Sequence, residues 1–120
     1  MIAGDSQRRN YDETIPAQRA IQWVCIGGEN ENLPMTGALP NRTCQGGLSA
    51  RIHFPSCWNG MADSNDHKTH VAYPSRMDSG PCPETHPKRL PFILYEVTYA
   101  TSSFDELRQE GDQPYVLANG

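Results

Sequence analysis

Several familiar signatures are missing from this chain, and each absence removes a class of function. No two cysteines lie closer than Cys44 and Cys57, so there is no CxxC pair of the kind that builds compact zinc sites. There is no HExxH helix, no nucleophile elbow around Ser56 or Ser75, and no phosphate-cradling loop, Gly27-Gly28-Glu29 being too short. Basic runs end at Arg8-Arg9 and Lys88-Arg89, and 10 Lys and Arg face 14 Asp and Glu for a net charge of −4. That balance excludes a nucleic-acid footprint and suits neutral or cationic ligands better. No apolar run approaches the roughly 18 residues needed to cross a bilayer, so no membrane span is expected. Met1-Ile2-Ala3-Gly4-Asp5 lacks the basic start and apolar core of a secretory leader. Internal repeats and low-complexity tracts are also missing.

What is present is a short, loop-rich chain. At 120 residues, with 37% hydrophobic residues, 10 Gly and 10 Pro, it has little with which to build a core. A chain of this length buries about 65% of its unfolded surface, which leaves it short of stabilisation unless crosslinks compensate. The four cysteines, Cys25, Cys44, Cys57 and Cys82, supply at most two disulfides. An even count with wide spacing points to disulfides in an oxidising compartment. Three pairings are open, and near-neighbour pairing, Cys25 with Cys44 and Cys57 with Cys82, is preferred. A Cys57–Cys82 bridge would close a loop of about 25 residues and contribute roughly 3 kcal/mol. Asn41-Arg42-Thr43 is an N-glycosylation sequon. With no leader at the start and a strand-like Tyr115–Ala118 at the end, residues 1–120 are expected to be a single, incomplete domain cut from a secreted protein. Such a piece should fold poorly alone.

The pattern along the chain is mainly β. A short strand is expected over Met1–Gly4. One helical turn is expected over Ile15–Ala20, capped by Thr14 with Pro16 in its first position. Ile21–Ile26 is β-branched and aromatic and reads as a strand. Residues 27–45 carry turn chemistry. Leu48–Phe54 alternates, with Leu48, Ala50, Ile52 and Phe54 on one face and Ser49, Arg51 and His53 on the other. Pro55–Pro91 is a long irregular excursion with one short strand at Thr69–Tyr73. Phe92–Tyr99 is a strand, and Ser103–Leu107 a helical turn. The architecture expected is a sandwich or jelly-roll-like fold with long disulfide-stapled loops and one or two helical turns.

Chemistry-bearing residues crowd into one stretch. FPSCWNGMADSNDHKTHVAYPS (54–75) and PCPETHP (81–87) hold Trp58, Asp63, Asp66, His67, His70, Tyr73 and His86, including three of the four histidines. Long loops inside a compact domain are usually functional or disordered, and the cysteines and aromatics here argue against disorder. Three readings compete. The imidazoles and an Asp could bind a metal. One histidine, oriented by Asp66, could act as general acid or base. Or the cluster only pins a loop that lacks regular structure. Trp58 serves either as a sugar-stacking platform or as packing against a disulfide. His53 reads as a solvated or cross-strand residue. Glu96 sits among apolar residues on a strand, either outward on an edge or as a tuned carboxylate in a cleft.

The motifs also carry a resemblance. MIAGD (1–5), LPNRTCQGGLSARIHFPSCWNG (39–60), DSNDHKTHVAYPS (63–75) and CPETHPKRLPFILYE (82–96) resemble, in this order, the secreted fungal family DUF1996, a domain of unknown function often found beside WSC domains. The matching positions are Cys57, Trp58, Asp63, Ser64, Asp66, His67, His70, Tyr73, Cys82, His86 and Glu96. Asn59 departs from the acidic residue expected after the tryptophan. The resemblance implies an extracellular or cell-wall protein. It also implies further histidine-bearing segments on both sides of this chain, so that metal binding here should be weak.

The resulting expectation is a domain that acts on or binds polysaccharide. His67 or His70 would move a proton and Asp66 would orient it, while Trp58, Tyr73, Asp63, His86 and Glu96 contact the glycan. The alternative is a non-catalytic wall-associated module whose cluster only orders the loop. No metal or other cofactor is assigned, and the sequence carries no signal of oligomeric state. His67, His70 and His86 are expected on one side of the molecule, near Asp66 and Trp58.

Overall fold

The β-branched and aromatic run Ile21-Gln22-Trp23-Val24-Cys25-Ile26 forms strand β1 over the whole of its expected length. The structure, a computed structural model, describes residues 3–27, 33–107 and 113–116. A single helical turn, α1 (Pro16–Arg19), leads into β1, with Pro16 at the start where its missing N–H costs nothing. Its cap is Ile15, which makes no side-chain cap bond, and not Thr14. The Thr14 hydroxyl is committed instead to Asp12 Oδ1 at 2.6 Å, so the turn before the helix takes the cap it would have supplied. Strand β2 (Gly47–His53) pairs between β1 and β6 (Leu94–Tyr99) in one three-stranded antiparallel sheet. A 3-10 helix, Thr101–Leu107, follows β6 and starts earlier than the expected turn at Ser103.

The chain divides into two compact units, residues 1–21 with 52–95, and residues 22–51 with 96–120. The core of the second unit is small. Cys25, Cys44 and Leu48 are buried together, with Trp23, Leu33, Leu39 and Tyr115 packed around them. The Cys25–Cys44 disulfide, with Cα atoms 5.1 Å apart, forms part of that core. Tyr115 accepts the Cys44 amide at 2.9 Å through its hydroxyl. Tyr115 and Val116 are not a strand, and Leu117 and Ala118 of the expected strand lie outside the described residues. On the sheet, Glu96 Oε1 takes Ser49 Oγ at 2.6 Å and Arg51 Nε at 2.7 Å. Glu96 is therefore the outward carboxylate of an edge strand, held by a neighbouring guanidinium.

The first unit contains the long excursion over Pro55–Pro91, for which one short strand is expected at Thr69–Tyr73. Residues 55–91 include three two-residue strands, β3 (Cys57–Trp58), β4 (Val71–Ala72) and β5 (Lys88–Arg89), and β4 falls within that expected strand. They form a second antiparallel sheet ordered β4-β3-β5, with Cys57 opposite Ala72 and Arg89, and Trp58 opposite Val71 and Lys88. Two residues cannot display an alternation, so no periodicity marks them. The Cys57–Cys82 disulfide, Cα atoms 5.6 Å apart, fastens the loop between β3 and β5. Arg89 reinforces it, donating to Gly80 O at 3.1 Å and Asp78 O at 3.0 Å. Of the strand expected at 1–4, Met1 and Ile2 lie outside the described residues, and Ala3 and Gly4 are not extended into a sheet. The fold is thus mainly β, with two disulfide-stapled loop systems and, among the described residues, two short helical segments.

Candidate functional site

The site is built on the chain leaving β3. Asn59 Oδ1 accepts the Met61 amide at 2.9 Å and Trp58 Nε1 donates to Met61 O at 2.6 Å, which closes a tight turn. The turn needs glycine at position 60, where φ is +98° and an added Cβ would sit 2.8 Å from Lys88 Nζ. That ammonium lies over the Trp58 ring, 5.1 Å from its centroid. A cation therefore covers one face of the indole, and Trp58 has at most its other face for a sugar. Asn59 serves the turn through its side-chain oxygen, a role an aspartate would also fill.

Residues 63–70 then wind around two carboxylates. Asp66 Oδ1 accepts Ser64 Oγ at 2.7 Å, Lys68 N at 3.0 Å, and both Thr69 N and Thr69 Oγ1 at 2.9 Å. These bonds, the Thr69 amide first, hold its carboxyl well below the ordinary range. Asp66 is a pin for its own loop, and no histidine nitrogen is bonded to it. The orienting carboxylate is Asp63. Its Oδ2 is 2.6 Å from His67 Nδ1, and its Oδ1 is 3.6 Å from His70 Nδ1. The Ser64 amide donates to Oδ1 at 2.8 Å. That bond, followed by His67, draws the Asp63 carboxyl below its usual value, against an opposing desolvation effect.

Donor and acceptor accounting assigns the three imidazoles different jobs. The Ser64 hydroxyl has one proton, which goes to Asp66, so His70 Nδ1 at 3.0 Å must be the donor to Ser64 Oγ. His70 is 5% exposed and its amide also points at Ser64 Oγ, 3.3 Å away. It is a buried strut. His86 Nε2 lies 2.9 Å from Thr69 O, a pure acceptor, so that nitrogen carries the hydrogen, and Nδ1 takes the Thr85 hydroxyl at 2.9 Å. Both ring nitrogens of His86 are thereby committed. His67 alone is exposed, with 58% of its side chain open, and gives only Nδ1 to Asp63. A neutral ring donating through Nδ1 leaves the Nε2 lone pair outward. Its backbone φ of 55° is the sole positive value among the described non-glycine residues, a strained conformation that the Ser64–Asp66–Thr69 bonds maintain.

The expected gathering of His67, His70 and His86 takes the form of one hydrogen-bonded chain running through Asp63, Ser64, Asp66 and Thr69. They do not converge on a common point: among the described residues no three His, Cys, Asp or Glu side chains are placed to hold a metal ion. A shallow depression of about 520 Å³ lies along the loop, walled by Asn59, Met61, Asp63, Ser64, Asp66 and Thr69. Tyr73 is apart from this chain. Its hydroxyl donates to His53 O at 2.9 Å, and burial pushes the phenol up to about 12, so it is a fixed donor and not a base. His53 itself packs edge-on against Phe92, ring centroids 5.4 Å apart. Glu96 belongs to the other unit and to the Ser49–Arg51 pairing described above. Asn41 is exposed in a bend. Ser64, which mediates between both carboxylates and His70, carries no role in the sequence reading. The Asp-x-x-Thr spacing of Asp66 and Thr69 was the available signal, since short polar side chains at that spacing return to nearby amides.

No curated protein and no solved structure matches this chain significantly. The family model described as a domain of unknown function, DUF1996, matches residues 1–120, and the chain belongs to that family.

Proposed function

We propose that this domain acts on polysaccharide by proton transfer, with His67 as the general acid or base and Asp63 as its orienting carboxylate. The observation that carries the reading is the 2.6 Å bond from Asp63 Oδ2 to His67 Nδ1 on an exposed loop. A carboxylate on one ring nitrogen fixes the tautomer and leaves the lone pair of the other nitrogen to exchange a proton, which is the arrangement proton transfer requires. The depression along the same loop is shallow and lined by Asn59, Asp63, Ser64, Asp66 and Thr69, polar groups that suit hydroxyl-rich ligands. Two disulfides and the Asn41-Arg42-Thr43 sequon support an extracellular or wall-associated setting with a glycan at Asn41.

A second reading, a non-catalytic wall module, is favoured by one set of contacts. Asp66, His70 and His86 direct their hydrogen bonds back into the loop and hold it rigid. The discriminating experiment incubates the protein with wall glucans, chitosan and uronans and counts new reducing or unsaturated chain ends. The first reading expects new ends from at least one polymer. Well-folded protein that binds a polymer without producing ends supports the second.

A further inference from the structure

A separate pocket of about 400 Å³ within the first unit takes Lys68 and Thr69 of the same loop into its lining. Ile15, Ile21, Val71 and the Tyr73 ring make an apolar wall, while Arg8 and Lys68 stand at its edge. Each cation spends a hydrogen on a neutral backbone oxygen. Arg8 donates to Gln18 O at 3.2 Å, and Lys68 donates to Gly4 O at 2.8 Å. A guanidinium has five N–H groups and an ammonium three, so both keep donors in reserve. Among the described residues neither forms an ion pair. Asp5 lines the same pocket, but its Oδ1 takes the Gln7 amide at 2.9 Å and bridges to neither cation. Two cations and one carboxylate give this concavity a positive balance in a chain of net charge −4, against the average that the composition sets.

We infer that this pocket binds an acidic sugar unit, a uronate whose carboxylate sits between Arg8 and Lys68 while its C–H face rests on Tyr73. The assignment of a sugar, and not of some other carboxylate, rests on the polysaccharide reading above. The carboxylate rests on the charges alone. Size agrees, since pockets of a few hundred Å³ enclose ligands of mono- to disaccharide scale. A planar carboxylate matches a guanidinium fork and an ammonium together.

The test is calorimetric titration with glucuronate or galacturonate oligomers against neutral gluco-oligomers of equal length. Acidic oligomers should bind at least tenfold more tightly, with affinity falling as salt rises. The double substitution Arg8→Gln, Lys68→Gln should remove that preference. Because losing the Lys68 contact to Gly4 could disturb the fold, Asp5→Asn provides an independent arm. It preserves the turn acceptor, removes a negative charge, and should tighten binding of the acidic oligomer severalfold. Equal affinity for neutral and acidic oligomers would overturn this inference and leave the polysaccharide reading standing. Binding of neither would overturn this inference, while the chain-end assay decides the polysaccharide reading separately. Displacement by acetate at matching concentration would reduce the pocket to a bare anion site and overturn the sugar assignment.

Discussion

Replacing His67 with Asn should lower the rate of chain-end release by about 100-fold or more, the usual loss when a general acid or base is removed. Asn is the informative choice. It tolerates the left-handed backbone that His67 adopts at φ 55°, where alanine would add strain, and it cannot carry the proton. With 58% of the native side chain already in solvent, the melting temperature should move by no more than a few degrees. His70→Asn should do the reverse. That ring is 5% exposed and donates to Ser64, so the substitution should cost on the order of 1–3 kcal/mol of stability. A large loss of stability in His67→Asn, with activity per folded molecule unchanged, would transfer His67 to the structural reading.

Removing the second disulfide is expected to have the largest effect on stability. In Cys57→Ser, Cys82→Ser the loop between the two positions, a separation of 25 residues, regains its freedom in the unfolded state. Loop-closure entropy puts the loss at about 3 kcal/mol. For a domain of this size that corresponds to a melting temperature lower by on the order of 10 °C. The consequence for the site is specific, because Asp63, Ser64, Asp66, His67 and His70 all lie between the two cysteines. Arg89 still ties Gly80 and Asp78 to β5, so β3–β5 pairing should outlast order at the histidines. Proton exchange at the Thr69 and Lys68 amides, which Asp66 accepts, should rise before exchange at Trp58. Unchanged melting on loss of this bridge would contradict the picture of a loop held mainly by its staple.

The sequence displays some of this architecture plainly and conceals the rest for identifiable reasons. Strand β1 was legible because Ile21, Trp23, Val24 and Ile26 are side chains that fit a pleated surface. Strands β2 and β6 were legible within two residues, and the mainly β class followed from them. Strand β4 lies within the short strand expected at Thr69–Tyr73, but β3 and β5 were not legible, since a two-residue strand shows no alternation and depends on its partners and the staple. The Thr14 cap failed because Asp12, two residues earlier, competes for the same hydroxyl. Pairing of near-neighbour cysteines was one of three open possibilities, and it is the arrangement observed.

Within the candidate stretch, the sequence reading paired His67 with Asp66, whereas the structure pairs it with Asp63. Asp66 adjoins His67 in the chain, yet neighbouring residues on a turn direct their side chains apart, and Asp66 closes onto the amides ahead of it. Asp63, four residues before His67, comes round the turn to meet the ring. The choice left open for Glu96 is resolved by alternation on β2. Ser49 and Arg51 share one face there and meet Glu96 across the strand pair, which makes it a cross-strand partner.

The account stands on the assignment of one free imidazole nitrogen. Long-range proton–nitrogen NMR of the histidine rings, recorded where they are neutral, reads it directly. His67 should show hydrogen on Nδ1 and a bare Nε2, and His86 should show hydrogen on Nε2. Asp63→Asn should weaken the His67 preference and leave His86 unchanged. A His67 ring protonated on Nε2, or one averaging between tautomers in the native protein, would mean that Asp63 does not hold it, and the proposed proton-transfer pair would be lost.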